Sequence, residues 1–257
     1  DSRDKTLTIT NTKNSDISIS GAAFDDAQFS ASTSFPVTVA AYSAADITLT
    51  FTPSATGAKT GTLQLSSADI PGDATYGEFA LSGNAFDLSD GVVEVPGEVP
   101  TIQEAIDASS DGDTVLVAAG TYYENIEING KYIALIGADS ATTILDGGNT
   151  SGVLSLGYDN GGVSLIKRFT IQNGNRSPGG GIVINHSNAV LDELLIQNNE
   201  STNNGGAIIA WDWDGSLTNS IVQNNYSGNE GALNIGNGSD LSISNVEISD
   251  NTAQGSG

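Results

Sequence analysis

Toward the C-terminus the apolar positions recur on a fixed step. Gly181-Ile182-Val183-Ile184 is echoed by Gly206-Ala207-Ile208-Ile209 and then by Gly231-Ala232-Leu233-Asn234-Ile235. Behind each comes a second apolar group and a polar pair: Leu191, Ile196 and Asn198-Asn199; Leu217, Val222 and Asn224-Asn225; Ile243, Ile248 and Asp250-Asn251. Leu191, Leu217 and Ile243 are spaced by 26 residues, whereas Gly181, Gly206 and Gly231 are spaced by 25. The period is too short for helix pairs, and the runs alternate with period two between Gly and Asn punctuation. Each repeat is therefore expected to be one coil of β-strands, and the whole a parallel β-helix. In such a coil the aliphatic residues stack inward, and equivalent corner amides form a ladder, the role expected of Asn198, Asn224 and Asp250. The intervals Gly181–Leu191, Gly206–Leu217 and Gly231–Ile243 lengthen by one residue each time. That places insertions at one corner, where solenoids carry binding surfaces.

The first third of the chain alternates differently. Thr6–Thr10, Asp16–Ser20, Val37–Val39, Asp46–Phe51, Thr60–Leu65 and Glu78–Leu81 each place apolar residues on one face, and Pro53, Gly57, Pro71 and Gly72 supply turns between them. Half-buried antiparallel strands follow from this pattern, and with them a small β-sandwich over residues 1–86. Asn11, Phe24, Phe29, the run Ile47-Thr48-Leu49-Thr50-Phe51-Thr52-Pro53, Gly57, Gly61-Thr62-Leu63 and the ending Leu81-Ser82-Gly83-Asn84-Ala85 resemble the immunoglobulin-like modules of the ASH and HYDIN type in bacterial surface proteins. The resemblance implies a spacer or interaction module, and a further strand ahead of the first seen, so that the N-terminus falls inside a domain.

Residues 87–98 lack an apolar period and read as a linker. Beyond it, Thr101 with Glu104 forms a capping box, and Ile102, Ala105 and Ile106 share one face of a short helix. A helix across the open end of a solenoid covers its exposed stack. Val95-Pro96, Pro100-Thr101-Ile102-Gln103, Gly112-Asp113-Thr114-Val115, Gly120-Thr121-Tyr122, Leu135-Ile136-Gly137 and Asp146-Gly147 together resemble the N-terminal cap and first coils of right-handed β-helix proteins of the pectin lyase-like superfamily. The fold class expected is all-β: an N-terminal immunoglobulin-like β-sandwich, then a right-handed parallel β-helix over 99–257 with a short N-terminal capping α-helix. No capping element follows Asn251, so further coils are expected beyond Gly257.

Composition narrows the chemistry. The chain of 257 residues has no Cys, no Met, one His and a formal charge of −23, with acids in excess in both halves. No cluster of Lys and Arg exists to release counterions from a phosphate backbone, which argues against nucleic acid, and no apolar run is long enough for a membrane-spanning helix. Copper delivery of the periplasmic NosD-like kind, another activity found in the superfamily, is disfavoured by the missing Cys and Met.

Candidate residues are few. Asp111, Asp113 and Glu124 read as turn carboxylates. Asp192-Glu193 is the only adjacent acidic pair of the coil region and lacks the context of a polygalacturonase site. Lys167 and Arg168 are the best-placed candidates for a proton-abstracting base, against a solvated charge pair on an outward face. His186 lies in the variable corner and reads as polar surface. The most unusual stretch is Trp211-Asp212-Trp213-Asp214-Gly215, which holds both tryptophans. Indole faces stack on sugar rings and flanking carboxylates accept hydroxyl hydrogen bonds, so Trp211, Asp212, Trp213 and Asp214 form a candidate ligand-binding set, against packing over the stack edge. Asp212 and Asp214 can also begin a calcium site, but the remaining ligands of an Asp-x-Asp-x-Asp-Gly loop are absent. No other cofactor is expected.

These readings converge on an extracellular or cell-surface protein of bacterial type. The expected role is adhesion, glycan binding or structural display, with a polysaccharide or surface glycan as partner. The alternative is a polysaccharide lyase or glycoside hydrolase similar to pectin lyase-like enzymes. A basic group and clustered carboxylates converging on one outward groove would separate the two.

Overall fold

The computed structural model describes residues 3–55, 57–69, 75–85, 90–159, 161–236 and 238–255. The turn residues Pro71 and Gly72, and residues 86–89 around the start of the expected linker, lie outside them. The chain divides into two units, Asp1–Asp87 and Leu88–Gly257.

In the first unit the alternating runs pair antiparallel. The strands are β1 (Arg3–Thr10), β2 (Ile17–Ile19), β3 (Gly21–Phe24), β4 (Phe29–Ala31), β5 (Val37–Val39), β6 (Ala44–Phe51), β7 (Gly57–Ser66) and β8 (Thr75–Ala85). They build two three-stranded sheets, β1-β6-β4 and β3-β7-β8, with a β2-β5 ribbon. One residue in two faces a shared core of Ile17, Ile19, Val39, Ile47, Leu63 and Leu65, which gives a sandwich-like module. Asn11 is buried after β1, and its amide donates to the carbonyls of Ser15, Val39 and Ala40 at 2.8, 3.0 and 3.1 Å. A polar side chain is tolerated there because its donors are satisfied.

The second unit is a parallel β-solenoid of about six turns. Its strands run β9 (Val92–Val95), α1 (Ile102–Ala108), β10 (Thr114–Val117), β11 (Gly120–Tyr122), β12 (Ile126–Asn129), β13 (Ala134–Gly137), β14 (Thr143–Asp146), β15 (Leu154–Gly157), β16 (Leu165–Lys167), β17 (Thr170–Gln172), β18 (Ile182–Ser187), β19 (Val190–Asp192), β20 (Leu195–Gln197), β21 (Glu200–Ser201), β22 (Ile208–Trp213), β23 (Ser216–Thr218), β24 (Ile221–Gln223), β25 (Tyr226–Ser227), β26 (Leu233–Ile235), β27 (Ser242–Ser244), β28 (Glu247–Ser249) and β29 (Thr252–Ala253). Three long parallel sheets result: β9-β10-β13-β16-β19-β23-β27, β11-β14-β17-β20-β24-β28 and β12-β15-β18-β22-β26.

Leu191, Leu217 and Ile243 lie in direct register, as do Ile196, Val222 and Ile248, so the aliphatic columns predicted from the repeat form and are buried at the first two levels, while Ile243 and Ile248 on the last described coil are 48% and 52% exposed. Three details differ from expectation. Val92–Val95, read as linker, is the first strand of the solenoid and pairs with β10, with Val93 and Val95 pointing into the core. The amide ladder runs through Asn199, Asn225 and Asn251: Asn199 Nδ2 donates to Asn225 Oδ1 and Asn225 Nδ2 to Asn251 Oδ1, both at 3.0 Å. Asn198, Asn224 and Asp250 instead take φ of +55°, turning the corner so that the next residue points inward. Finally, the glycine in register with Gly206 is Gly180, not Gly181, because Ile182 pairs with Ile208. The corner therefore lengthens only once, between β26 and β27.

Helix α1 packs against β9, β10 and β12 with Ile102, Ala105 and Ile106 buried. Thr101 Oγ1 accepts from Glu104 N at 3.2 Å, and Glu124 completes the cap by accepting from Ile102 N and Gln103 N, each at 3.0 Å. At the other end Lys131 Nζ donates to the carbonyls of Ile106 and Ser109 at 2.9 Å. Opposite charges thus sit at the two ends of the helix dipole. Asp111 and Asp113 fill turn roles, accepting from Tyr132 N and Ser110 N.

Candidate functional site

At the corner that follows the β12-β15-β18-β22-β26 sheet, two outward columns run side by side along the solenoid. Asn129, Gly157, Asn185, Trp211 and Gly236 form the first, each in register with the next. The residues that come next in the chain form the second, and they bend it: Gly130, Tyr158, His186 and Asp212 have φ of +71°, +52°, +48° and +49°. Left-handed backbone at each level throws the side chain outward, so residues from separate coils are stacked on one another.

Tyr158 and His186 stack with centroids 5.2 Å apart and planes 11° from parallel. His186 Nε2 lies 2.9 Å from Asp212 Oδ2, an imidazole–carboxylate contact that orients the ring. Tyr158 is 59% exposed, and the side chains of His186 and Asp212 are 54% and 46% exposed. Trp211, half-buried, leans over Gly236, where a Cβ would come within 2.8 Å of its Cδ1. The column is braced from below: buried Asp159 accepts from Ser187 Oγ at 2.8 Å and Asn188 N at 2.6 Å.

The expected set Trp211, Asp212, Trp213 and Asp214 is therefore divided. Trp211 and Asp212 belong to the exposed corner. Trp213 does not; it is fully buried, opposite Ser187, and its Nε1 donates to the carbonyl of Ala189 at 2.8 Å. In a straight strand residues two apart would face the same way, but the left-handed turn at Asp212 sends Trp213 inward. Asp214 is exposed and accepts from Asp240 N at 2.9 Å, holding the turn of the next coil. Tyr158 and His186 complete the site. Their signal was the register itself, Tyr158 to His186 in 28 residues and His186 to Asp212 in 26, visible only once Gly157, Asn185 and Trp211 are placed on one line.

Lys167 and Arg168 lie elsewhere, at the outer edge of the β16-β19-β23 face. Lys167 Nζ is 2.7 Å from Asp192 Oδ2 and 3.0 Å from Glu193 Oε1, and Arg168 Nε is 2.8 Å from Glu193 Oε2. Asp192 Oδ1 also accepts from Thr218 Oγ1 and Asn219 Nδ2 at 2.8 Å. Burial pushes the Asp192 carboxyl up, but the hydrogen bonds from Lys167, Asn219 and Thr218 outweigh it and bring it down to about 2. The same bonds from Asp192 and Glu193 raise Lys167 above its ordinary value, the opposite of what a proton acceptor at neutral pH requires. Arg168 is likewise raised, first by its hydrogen bond to Glu193.

Arg168 also borders a cleft of about 590 Å³ formed with Pro96, Gly97, Leu116, Ile136 and Ala138. Among the described residues no three His, Cys, Asp or Glu side chains converge as a metal shell; the Asp212 carboxylate faces His186 rather than Asp214.

No family model matches the chain, and no curated protein matches it. Among solved structures it is similar to SSP-19, an MSP-domain protein like family member in Caenorhabditis elegans, at 16% identity over 34% of this chain and 88% of that one, with a TM-score of 0.25. A likeness at that level bears on neither fold nor function. The chain is a sandwich-like module followed by a parallel β-solenoid.

Proposed function

We propose that the chain is a glycan-binding display module of an extracellular or cell-surface protein. In this reading the solenoid is a right-handed β-helix of the pectin lyase-like kind, and the first unit is an immunoglobulin-like spacer of the ASH/HYDIN type. The observation that carries it is the exposed corner column: aromatic Tyr158 and His186 stacked beside half-buried Trp211, with Asp212 fixed against the imidazole. Aromatic faces supply the apolar contact for sugar C–H groups, and fixed carboxylates and amides accept or donate to hydroxyls. Three coils contribute, so the solenoid stack preorganises the site before a ligand arrives. A lyase would need a free cationic base, and Lys167 is committed to two carboxylates, whereas a glycoside hydrolase would instead need a carboxylate pair across an open groove.

The test is affinity electrophoresis in gels containing neutral or acidic polysaccharides. Retardation in at least one neutral gel, lost in Trp211→Ala and in His186→Ala, supports the reading. Mobility unaffected by every polysaccharide overturns it. So does release of reducing ends or unsaturated uronides, since turnover would make the protein an enzyme.

A further inference from the structure

Two outward positions on the first coils break the rule that the solvent side of a strand is polar. Leu116 on β10 and Ile136 on β13 stand in register between Glu94 on β9 and Lys167 on β16, and farther along the same column carries Asp192, Thr218 and Ser244. Leu116 is 37% exposed and Ile136 is half-buried. With Pro96 and Ala138 they line the cleft of about 590 Å³ that Arg168 borders, a size that suits a small organic ligand. From β9 to the end of β16 the cleft covers three strand spacings, roughly 14 Å. After β9 the chain folds back, with Glu98 N donating to Glu94 O at 2.8 Å, and the turn sets Pro96 and Gly97 at the cleft as a wall.

The lining selects the occupant. None of the described residues around the cleft is aromatic, and Leu116 and Ile136 lie on strands paired on both sides, whose backbone groups are taken up in the sheet. A ligand with hydroxyls or amides along its body would strand them on this floor, whereas a hydrocarbon body would not. The two ends differ in charge. Glu94 is exposed, its Oε2 lies 3.2 Å from where a Gly97 Cβ would be, and Glu98 Oε2 accepts from Glu94 N at 3.0 Å, so two carboxylates lie at that end. Neither forms an ion pair among the described residues. At the other end Lys167 and Arg168 are answered by Asp192 and Glu193. The unmatched charge is therefore negative, and the net charge of −23 adds to it.

We propose that this cleft binds a monocationic amphiphile, a primary alkylamine or arylalkylamine, with its ammonium at Glu94 and its hydrocarbon body laid over Leu116 and Ile136 toward Arg168. The guanidinium at the far end repels a second ammonium, which selects one charge over two. This goes beyond the glycan reading, and neither depends on the other. It also gives a reason for aliphatic side chains on an outward column that turns polar from Lys167 onward.

The experiment is isothermal titration of the whole chain near neutral pH with hexylamine, octylamine and decylamine, and with α,ω-diaminodecane and decanoate as counterparts. Salt at about 0.3 M screens general attraction to the acidic surface. The expected result is one decylammonium bound per chain. A fully buried methylene gains about fourfold in affinity and one in an open cleft about twofold, so each added pair of methylenes should tighten binding about fourfold. Diaminodecane and decanoate should each bind about tenfold more weakly than decylamine. Glu94→Gln should weaken decylamine about tenfold, and Leu116→Thr about fivefold, both with an unchanged thermal midpoint. Threonine already stands in this column at Thr218. Should Leu116→Thr lower the midpoint, Glu94→Gln, at an exposed position, carries the test. Several amines bound per chain, with an affinity that neither variant changes, mark diffuse attraction to acidic surface and overturn the site. Decanoate binding more tightly than decylamine overturns the assignment of charge. Absence of binding by every amine overturns the proposal outright, and none of these outcomes touches the glycan reading.

Discussion

Removing the middle amide of the ladder should cost far more than removing the one at its last described position. Asn225 is 1% exposed. Its Oδ1 accepts from Asn199 N and Asn199 Nδ2 at 3.0 Å, and its Nδ2 donates to the carbonyls of Ile196 and Gln223 at 2.9 Å and to Asn251 Oδ1 at 3.0 Å. Asn225→Ala leaves the Asn199 backbone N–H and one Asn199 amide hydrogen without partners, in a space a methyl group does not fill. At about 1–3 kcal/mol for each of the two stranded buried groups, toward the low end because the coils can relax, the loss is about 2–4 kcal/mol. Asn251→Ala removes an equivalent side chain where solvent can reach part of the wound, and should cost about 1–2 kcal/mol. Both tryptophans lie on β22, in the same coil as Asn225, so their emission reports that coil in a urea titration. Equal midpoints for the two variants, or a loss below about 1 kcal/mol for Asn225→Ala, would show that the ladder is decoration on a stack held by aliphatic packing alone.

Three further outcomes follow from other parts of the solenoid. The Asp192 carboxyl titrates at about 2 in the folded chain against an ordinary 3.8, so its contribution is fully present above pH ~4 and is lost as the pH falls through 2. At 1.36 kcal/mol per pKa unit that contribution is about 2 kcal/mol, and Asp192→Asn should flatten the unfolding free energy over this window, with an unchanged slope counting against the network. Trp213→Ala should destabilise by about 3–5 kcal/mol with little effect on sugar affinity measured below its melting point, whereas Trp211→Ala should do the reverse; equal stability losses would place both indoles in the same role. Chelation with EDTA should alter neither polysaccharide retardation nor thermal midpoint, because the Asp212 carboxylate faces His186 and Asp214 holds Asp240 N; a calcium-dependent rise in either would reveal a cation site at this corner.

The interior was legible in the sequence because stacking demands it. Leu191, Leu217 and Ile243 must be apolar on every turn, and a fixed step between them leaves one arrangement. The corners were less legible, since a pair such as Asn198-Asn199 can be read in two frames. Only the backbone distinguishes the residue that turns with positive φ from the neighbour that points inward, and the ladder fell one position later than composition alone suggested. The run Gly179-Gly180-Gly181 hid its register for the same reason. Val92–Val95 escaped notice because four residues between Asp90-Gly91 and Pro96-Gly97 are too short a run to show a period. The candidate site was half visible: Trp211 and Asp212 stood out by composition, but Tyr158 is an isolated aromatic in the sequence. Its importance is conferred by a neighbour from another coil.

The most direct test of the corner as the binding site is a two-dimensional nitrogen–proton NMR titration of the chain with an oligosaccharide of the polysaccharide that retards it most. Shifts concentrated at the backbone of Tyr158, His186 and Asp212 and at the Trp211 indole N–H, with the Trp213 indole unmoved, are the predicted result. Shifts concentrated instead along Leu116, Ile136 and Arg168 would contradict it and move the site to the cleft on the opposite sheet edge.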